Sequence, residues 1–226
     1  MSYEVALFDL DSTLFDSALS EELALKASLE HYFVSFTDEV LSIYKVINTQ
    51  LWRDFEQNAI ELDQLRIKRF TRLCQELNFA IQPSDLADLY EHNLGKFGKL
   101  YTGAAELLIQ TRKTARTGLI TNGLESVQKA RLEHFNLYQY FEVILISGEC
   151  GLAKPDPAIF QSALDLLDHK RKGSVLMIGD SLSSDIAGAN NFGIDSCWYN
   201  PNRLKLQSSD SPTFTVYSLQ EIASLI

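Results

Sequence analysis

Val5-Ala6-Leu7-Phe8-Asp9-Leu10-Asp11-Ser12-Thr13 is the stretch on which the fold turns: a short apolar run that ends in two carboxylates two positions apart. A short, nearly continuous apolar run suits a strand covered on both faces, as strands of a parallel sheet are. Three later runs have the same character: Thr117-Gly118-Leu119-Ile120, Val143-Ile144-Leu145-Ile146 and Val175-Leu176-Met177-Ile178. Between them the spacing is helical. Phe160, Ala163, Leu164 and Leu167 share one face, and Pro157 suits the first turn behind an Asp156 cap. Gly193 suits the end of a helix that starts near Ser183. Strands alternating with helices predict an α/β fold with a doubly wound parallel sheet.

One long segment breaks the alternation. From about Asp16 to Phe97 only helical periodicity is present, as in Leu62, Leu65, Phe70, Leu73 and Leu77, and again in Leu86, Leu89, Tyr90, Leu94 and Phe97. Thr37 before Asp38 and Glu39, and Pro83 before Ser84 and Asp85, read as helix starts. The block is too long for a crossover helix. It predicts a core built from residues 1–15 and 98–226, with an all-helical module, 16–97, inserted after the first strand.

The bulk properties exclude several classes. With 226 residues, 46% hydrophobic and 22% charged, the chain has the balance of an ordinary globular protein. A net charge of −10 argues against binding a nucleic acid polymer. A small phosphorylated ligand is compatible if its site supplies local positive charge. The N-terminus lacks the basic start of a signal peptide, and no apolar stretch approaches the roughly 18 residues of a membrane span. Cys74, Cys150 and Cys197 are odd in number and widely spaced, which predicts free thiols in a reducing compartment and a cytoplasmic protein.

In doubly wound sheets ligands sit beyond the carboxyl ends of the strands. Asp9, Thr121, Ser147 and Asp180 stand at or just past four such ends. Asp9 and Asp11 repel one another, so their pairing points to a cation or a shared proton; an acidic turn with capping duties is the plainer alternative. Thr121-Asn122-Gly123 combines a hydroxyl, an amide and backbone N–H groups at a helix start, which suits an anion, although Thr and Asn also serve as caps. Lys154 precedes Pro155, a combination that restricts its backbone, although an ordinary surface lysine reads the same. Asp180 at a strand tip and Asp185 about one turn on complete the set, and both also suit a helix start. His31, His92, His134 and His169 fall in expected helices away from these places, so histidine-based catalysis has no support.

The ordered set Asp9-Leu10-Asp11-Ser12-Thr13, Leu119-Ile120-Thr121, Lys154-Pro155 and Gly179-Asp180 to Asp185 resembles the haloacid dehalogenase superfamily. The resemblance implies a Rossmann-like core with a helical cap of the C1 type between the first two motifs. It implies Asp9 as a nucleophile forming an aspartyl-phosphate and Asp11 as the general acid and base. It further implies Mg²⁺ on the Asp9 and Asp180 carboxylates and the Asp11 backbone carbonyl, with Asp185 orienting the site from behind. Thr121, Asn122 and Lys154 would hold the phosphoryl oxygens. An acid at Asp11 favours a phosphatase or phosphomutase over a halide-displacing member, because halide needs no proton.

Within the superfamily the chain is similar to the pyrimidine 5′-nucleotidase family. The likeness runs through Asn48-Thr49-Gln50-Leu51-Trp52-Arg53-Asp54-Phe55-Glu56, Leu65 to Phe70, Ile146 to Pro155 and Cys197-Trp198-Tyr199-Asn200. It implies hydrolysis of nucleoside 5′-monophosphates such as UMP, dUMP or dTMP; a monomer or homodimer is the separate expectation for the assembly. Phe15, Trp52 and Phe55 are candidates to stack on the base, with ordinary packing as the alternative for each. A sugar-phosphate phosphatase, a phosphosugar mutase and a non-catalytic phospho-receiver are the competing readings.

Overall fold

The computed structural model describes residues 3–206 and 211–226. The chain forms two compact units, one comprising the residues up to Asp16, Leu100–Glu125 and those from Phe135 onward, the other comprising Ser17–Lys99 and Ser126–His134.

The first unit is built on a six-stranded sheet whose strand pairs are all parallel. Its strands are β1 (Val5–Phe8), β2 (Arg116–Thr121), β3 (Val143–Ile146), β4 (Val175–Gly179), β5 (Asp195–Tyr199) and β6 (Phe214–Val216), in the order β3-β2-β1-β4-β5-β6. The α/β architecture matches the expectation, and two strands are additional to the four read from apolar runs. The order reverses beside β1: the chain steps outward through β2 and β3 on one side and through β4, β5 and β6 on the other. A crevice at the carboxyl ends of β1 and β4 is the geometric consequence. Phe8 and Ile178 are in register there, so Asp9 and Asp180 both emerge at the reversal.

Packing explains why these runs are strands. Val5 and Leu7 of β1 share a buried cluster with Val175 and Met177 of β4, which also takes in Ile120 and Leu145. The first unit also holds helices α5 (Ala104–Thr111), α7 (Ser147–Cys150), α8 (Pro157–Leu166), α9 (Ala187–Phe192) and α10 (Leu219–Ala223), of which α8 and α9 cover the cluster through Ile159, Phe160, Ala163, Ala189 and Phe192. Each buried Val, Leu, Ile, Met or Phe side chain among them contributes roughly 1.5–3 kcal/mol. The first turn of α8 is set as expected: the Asp156 carboxylate accepts from the Ala158 N–H at 2.8 Å, and Pro157 occupies the first helical position. Gly193 ends α9 in the left-handed region, and a π-helical turn, Leu182–Ile186, leads into it.

The second unit consists of α1 (Ser17–His31), α2 (Asp38–Glu56), α3 (Leu62–Leu77), α4 (Pro83–Leu94) and most of α6 (Glu125–His134). Thr37 caps α2 by accepting from the Val40 N–H, and Pro83 opens α4. Arg66 of α3 pairs with Asp88 and Glu91 of α4. Inside, the Tyr44 hydroxyl donates to that of Tyr90 at 2.6 Å, and Arg69 donates to Tyr44 at 3.3 Å. The expected module ended at residue 97, yet α6 packs with this unit too. At Gly95 an added Cβ would lie 2.7 Å from the Cβ of Ala130, so only a glycine lets α6 approach so closely. Among the described residues no helix is long and apolar enough to cross a membrane.

Candidate active site

Asp9 is held in place by its backbone before its side chain is considered. Its N–H donates to the Ile178 carbonyl at 2.9 Å, extending the β1–β4 pairing by one residue. The chain then turns: the Leu10 carbonyl accepts from the N–H groups of Leu14 and Phe15, and Ser12 adopts a positive φ of 64°. This turn brings the Thr13 hydroxyl back to donate to Asp9 Oδ2 at 2.9 Å, with Asp180 Oδ1 at 3.4 Å. Asp11, on the same turn, is half-buried.

Lys154 supplies the positive charge. Its Nζ lies 2.6 Å from Asp9 Oδ1 and 2.7 Å from Asp185 Oδ1, although the lysine is only 1% exposed. Burial alone works against the ammonium, but the charges of Asp185 and Asp9 outweigh it and hold its pKa above that of a free lysine. The second Asp185 oxygen accepts from the Ser181 N–H at 3.0 Å. Space for this carboxylate comes from Gly179, where a Cβ would fall 2.1 Å from Asp185 Oδ2. Asp180 is steadied through its backbone, whose carbonyl accepts from the Trp198 indole N–H at 2.8 Å.

The site carries more negative charge than one lysine neutralises. Oxygens of Asp9, Asp180 and Asp185 lie within 4.8 Å of one another. Burial first, and the charges of Asp185 and Asp11 further, push the Asp9 carboxyl up to about 7 against the opposing pull of Lys154. Burial and the charges of Asp9 and Asp185 likewise hold Asp180 well above the usual carboxylate range. Carboxylates crowded in this way suit a hard divalent cation with oxygen ligands. The oxygens of Asp185 are engaged by Lys154 and Ser181 and those of Asp9 by Lys154 and Thr13, whereas the Asp180 carboxylate, among the described residues, meets only the Thr13 hydroxyl at 3.4 Å, which makes it the carboxylate most open to a metal.

Thr121 is buried at the end of β2, opposite Ile146 in register. Asn122 was expected at the phosphate, and its side-chain amide bonds the backbone of Lys154: Nδ2 donates to the Lys154 carbonyl at 2.8 Å, and Oδ1 accepts from the Lys154 N–H at 2.9 Å. Ser147 accepts from the Gly123 N–H at 2.9 Å, tying the β3 end to the β2 end. Phe15 does not offer a stacking face: it is fully buried, edge-on to Phe135 with ring centroids 5.1 Å apart. Trp52 and Phe55 lie one turn apart on α2, both half-buried and edge-on at 5.7 Å. The roles of Thr13 and Trp198 were not read from sequence. Thr13 sits inside the quoted motif, where its spacing to Asp9 was the available signal; Trp198 had none until β5 was known.

A family model for haloacid dehalogenase-like hydrolases matches residues 6–199. Pyrimidine 5′-nucleotidase YjjG of Escherichia coli is 35% identical over 226 residues, covering 100% of this chain and 99% of that one. Pyrimidine 5′-nucleotidase PynA of Streptococcus pneumoniae is 35% identical over 98% of this chain and 94% of its own. The magnesium-bound crystal structure of the hydrolase YfnB from Bacillus subtilis superposes with a TM-score of 0.93 at 30% identity, over 99% of this chain and 98% of that one. With acids and lysine gathered at the sheet reversal and these relatives matched from end to end, the chain belongs to the haloacid dehalogenase-like hydrolase family.

Proposed function

We propose that the protein is a Mg²⁺-dependent phosphomonoesterase of the cytoplasm that hydrolyses pyrimidine nucleoside 5′-monophosphates such as UMP, dUMP and dTMP. The observation that carries the reading is the buried Asp9 carboxylate, gripped by Lys154 at 2.6 Å and Thr13 at 2.9 Å, with a second acid, Asp11, on the same turn. A carboxylate fixed at both oxygens is oriented for in-line attack. An Asp9 oxygen bonds to phosphorus as the ester P–O bond breaks, and protonated Asp11 gives its proton to the departing alkoxide. Asp11, now a carboxylate, takes a proton from water. The water oxygen bonds to phosphorus, the Asp9–phosphorus bond breaks, and inorganic phosphate leaves with Asp9 restored. Lys154 and Thr121 would hold the phosphoryl oxygens as their charge shifts. Asp9, Asp180 and the Asp11 carbonyl would hold Mg²⁺, which when bound neutralises phosphoryl charge; Asp185 orients Lys154 behind them.

The choice of nucleotides is supported by the two pyrimidine 5′-nucleotidases that are 35% identical to the chain. The test is a phosphate-release screen across pyrimidine and purine monophosphates and sugar phosphates, with Mg²⁺ and with EDTA. The reading expects UMP, dUMP or dTMP to lead and EDTA to abolish release. Preference for sugar phosphates would overturn the substrate assignment, and release unaffected by EDTA would overturn the metal.

A further inference from the structure

We infer that the Asn122 side chain is a positioning group for Lys154, acting on the phosphate through that lysine. The two residues are 32 positions apart, yet the Asn122 side chain meets both the N–H and the carbonyl of Lys154, at 2.9 and 2.8 Å. The pair forms a closed ring of two hydrogen bonds in which the amide donates once and accepts once. It therefore fixes the Lys154 backbone in orientation as well as in place. Such a hold matters because the lysine stem is long and flexible, with considerable rotamer freedom to lose. From the anchored backbone Nζ reaches between Asp9 and Asp185, at 2.6 and 2.7 Å, and a shifted backbone would pull it off both.

The anchor is itself secured. Asn122 follows Thr121, the last residue of β2, and precedes Gly123. Gly123 donates to Ser147 Oγ at 2.9 Å, and its carbonyl accepts from the Gly148 N–H at 3.0 Å. The ends of β2 and β3 are thus stapled together, and Asn122 passes that rigidity to the segment carrying Lys154. Both ends of the Asn122 amide are thus engaged by the Lys154 backbone.

This inference rests on the phosphatase reading above, and a double-mutant cycle on the full chain separates the two. Turnover of p-nitrophenyl phosphate with Mg²⁺ is measured for Asn122→Ala, Lys154→Ala, the double variant and, as a control, Asp9→Asn. Misplacing a reacting group by on the order of 1 Å costs on the order of a hundredfold in rate. Asn122→Ala is therefore expected to lower kcat by roughly ten- to a hundredfold, with KM changed much less. In the Lys154→Ala background it is expected to change nothing further. Losses that multiply across the two sites, or an Asn122→Ala enzyme with wild-type kcat, would overturn the inference. If Asn122→Ala does not fold, as judged by its melting transition, Asn122→Asp takes its place in the cycle. That variant keeps the shape and the bond from the Lys154 N–H but can no longer donate, and the same non-additivity is expected. If Asp9→Asn retains turnover, the phosphatase reading falls and this inference with it; if Asp9→Asn is inactive while the losses multiply, only the role of Asn122 falls.

Discussion

Gly179 has no side chain, and the Asp185 carboxylate occupies the room that one would fill. An alanine there would drive its Cβ to within 2.1 Å of Asp185 Oδ2. Gly179→Ala is predicted to cost about 1–3 kcal/mol of stability by overpacking. It should also lower phosphate release at least tenfold, because Asp185 can no longer hold Lys154; denaturant melts and steady-state kinetics check the two parts separately. Asp11→Asn is predicted to slow turnover by roughly 10²–10⁴-fold, the usual worth of a positioned acid–base. With a good leaving group, mass spectrometry of the Asp11→Asn protein should find a phosphoryl group on the peptide containing Asp9. At this scale Asp9 and Asp180 were legible in the sequence, since each directly follows the end of an apolar strand. Asn122 and Trp198 were not. Their partners are backbone groups of Lys154 and Asp180, distant in sequence, and no residue pattern encodes a bond to a distant peptide group.

Among the elements, β1 to β4 were legible because each is a short, largely apolar run, three of them inside the sheet and β3 at its edge. β5 and β6 escaped for opposite reasons. Asp195-Ser196-Cys197-Trp198-Tyr199 carries a polar start, and its buried Ser196 is satisfied by Thr213. Phe214–Val216 has only three residues at the edge of the sheet. Helix starts marked by Thr37, Asp156 and Pro83 were legible because capping chemistry is local. The packing of α6 with the helical unit was not, since it depends on Gly95 meeting Ala130. Phe160 on α8 is fully buried in the cluster beneath β1 and β4, so Phe160→Ala is predicted to cost about 3–5 kcal/mol in a denaturant melt. On α2, Trp52 and Phe55 remain the aromatic candidates for reading a base. Base–aromatic stacking is worth roughly 1–3 kcal/mol. Trp52→Ala is therefore predicted to lower kcat/KM for dTMP at least fivefold while leaving ribose 5-phosphate unaffected; equal losses on both substrates would make Trp52 a packing residue.

For the whole molecule, a net charge of −10 sets the problem that the active site solves. A phosphate dianion approaching such a chain meets repulsion, and Asp9, Asp180 and Asp185 add to it. One buried lysine does not balance three carboxylates and a dianion, so EDTA is predicted to remove turnover and Mg²⁺ to restore it. The central claim is that Asp9 attacks phosphorus, and the most direct measurement compares phosphate release from UMP and dTMP, with Mg²⁺ present, by the native protein and by Asp9→Asn. The native protein is predicted to release phosphate steadily and the variant at least a thousandfold less, with its melting transition intact. An Asp9→Asn protein that releases phosphate at close to the native rate would contradict it.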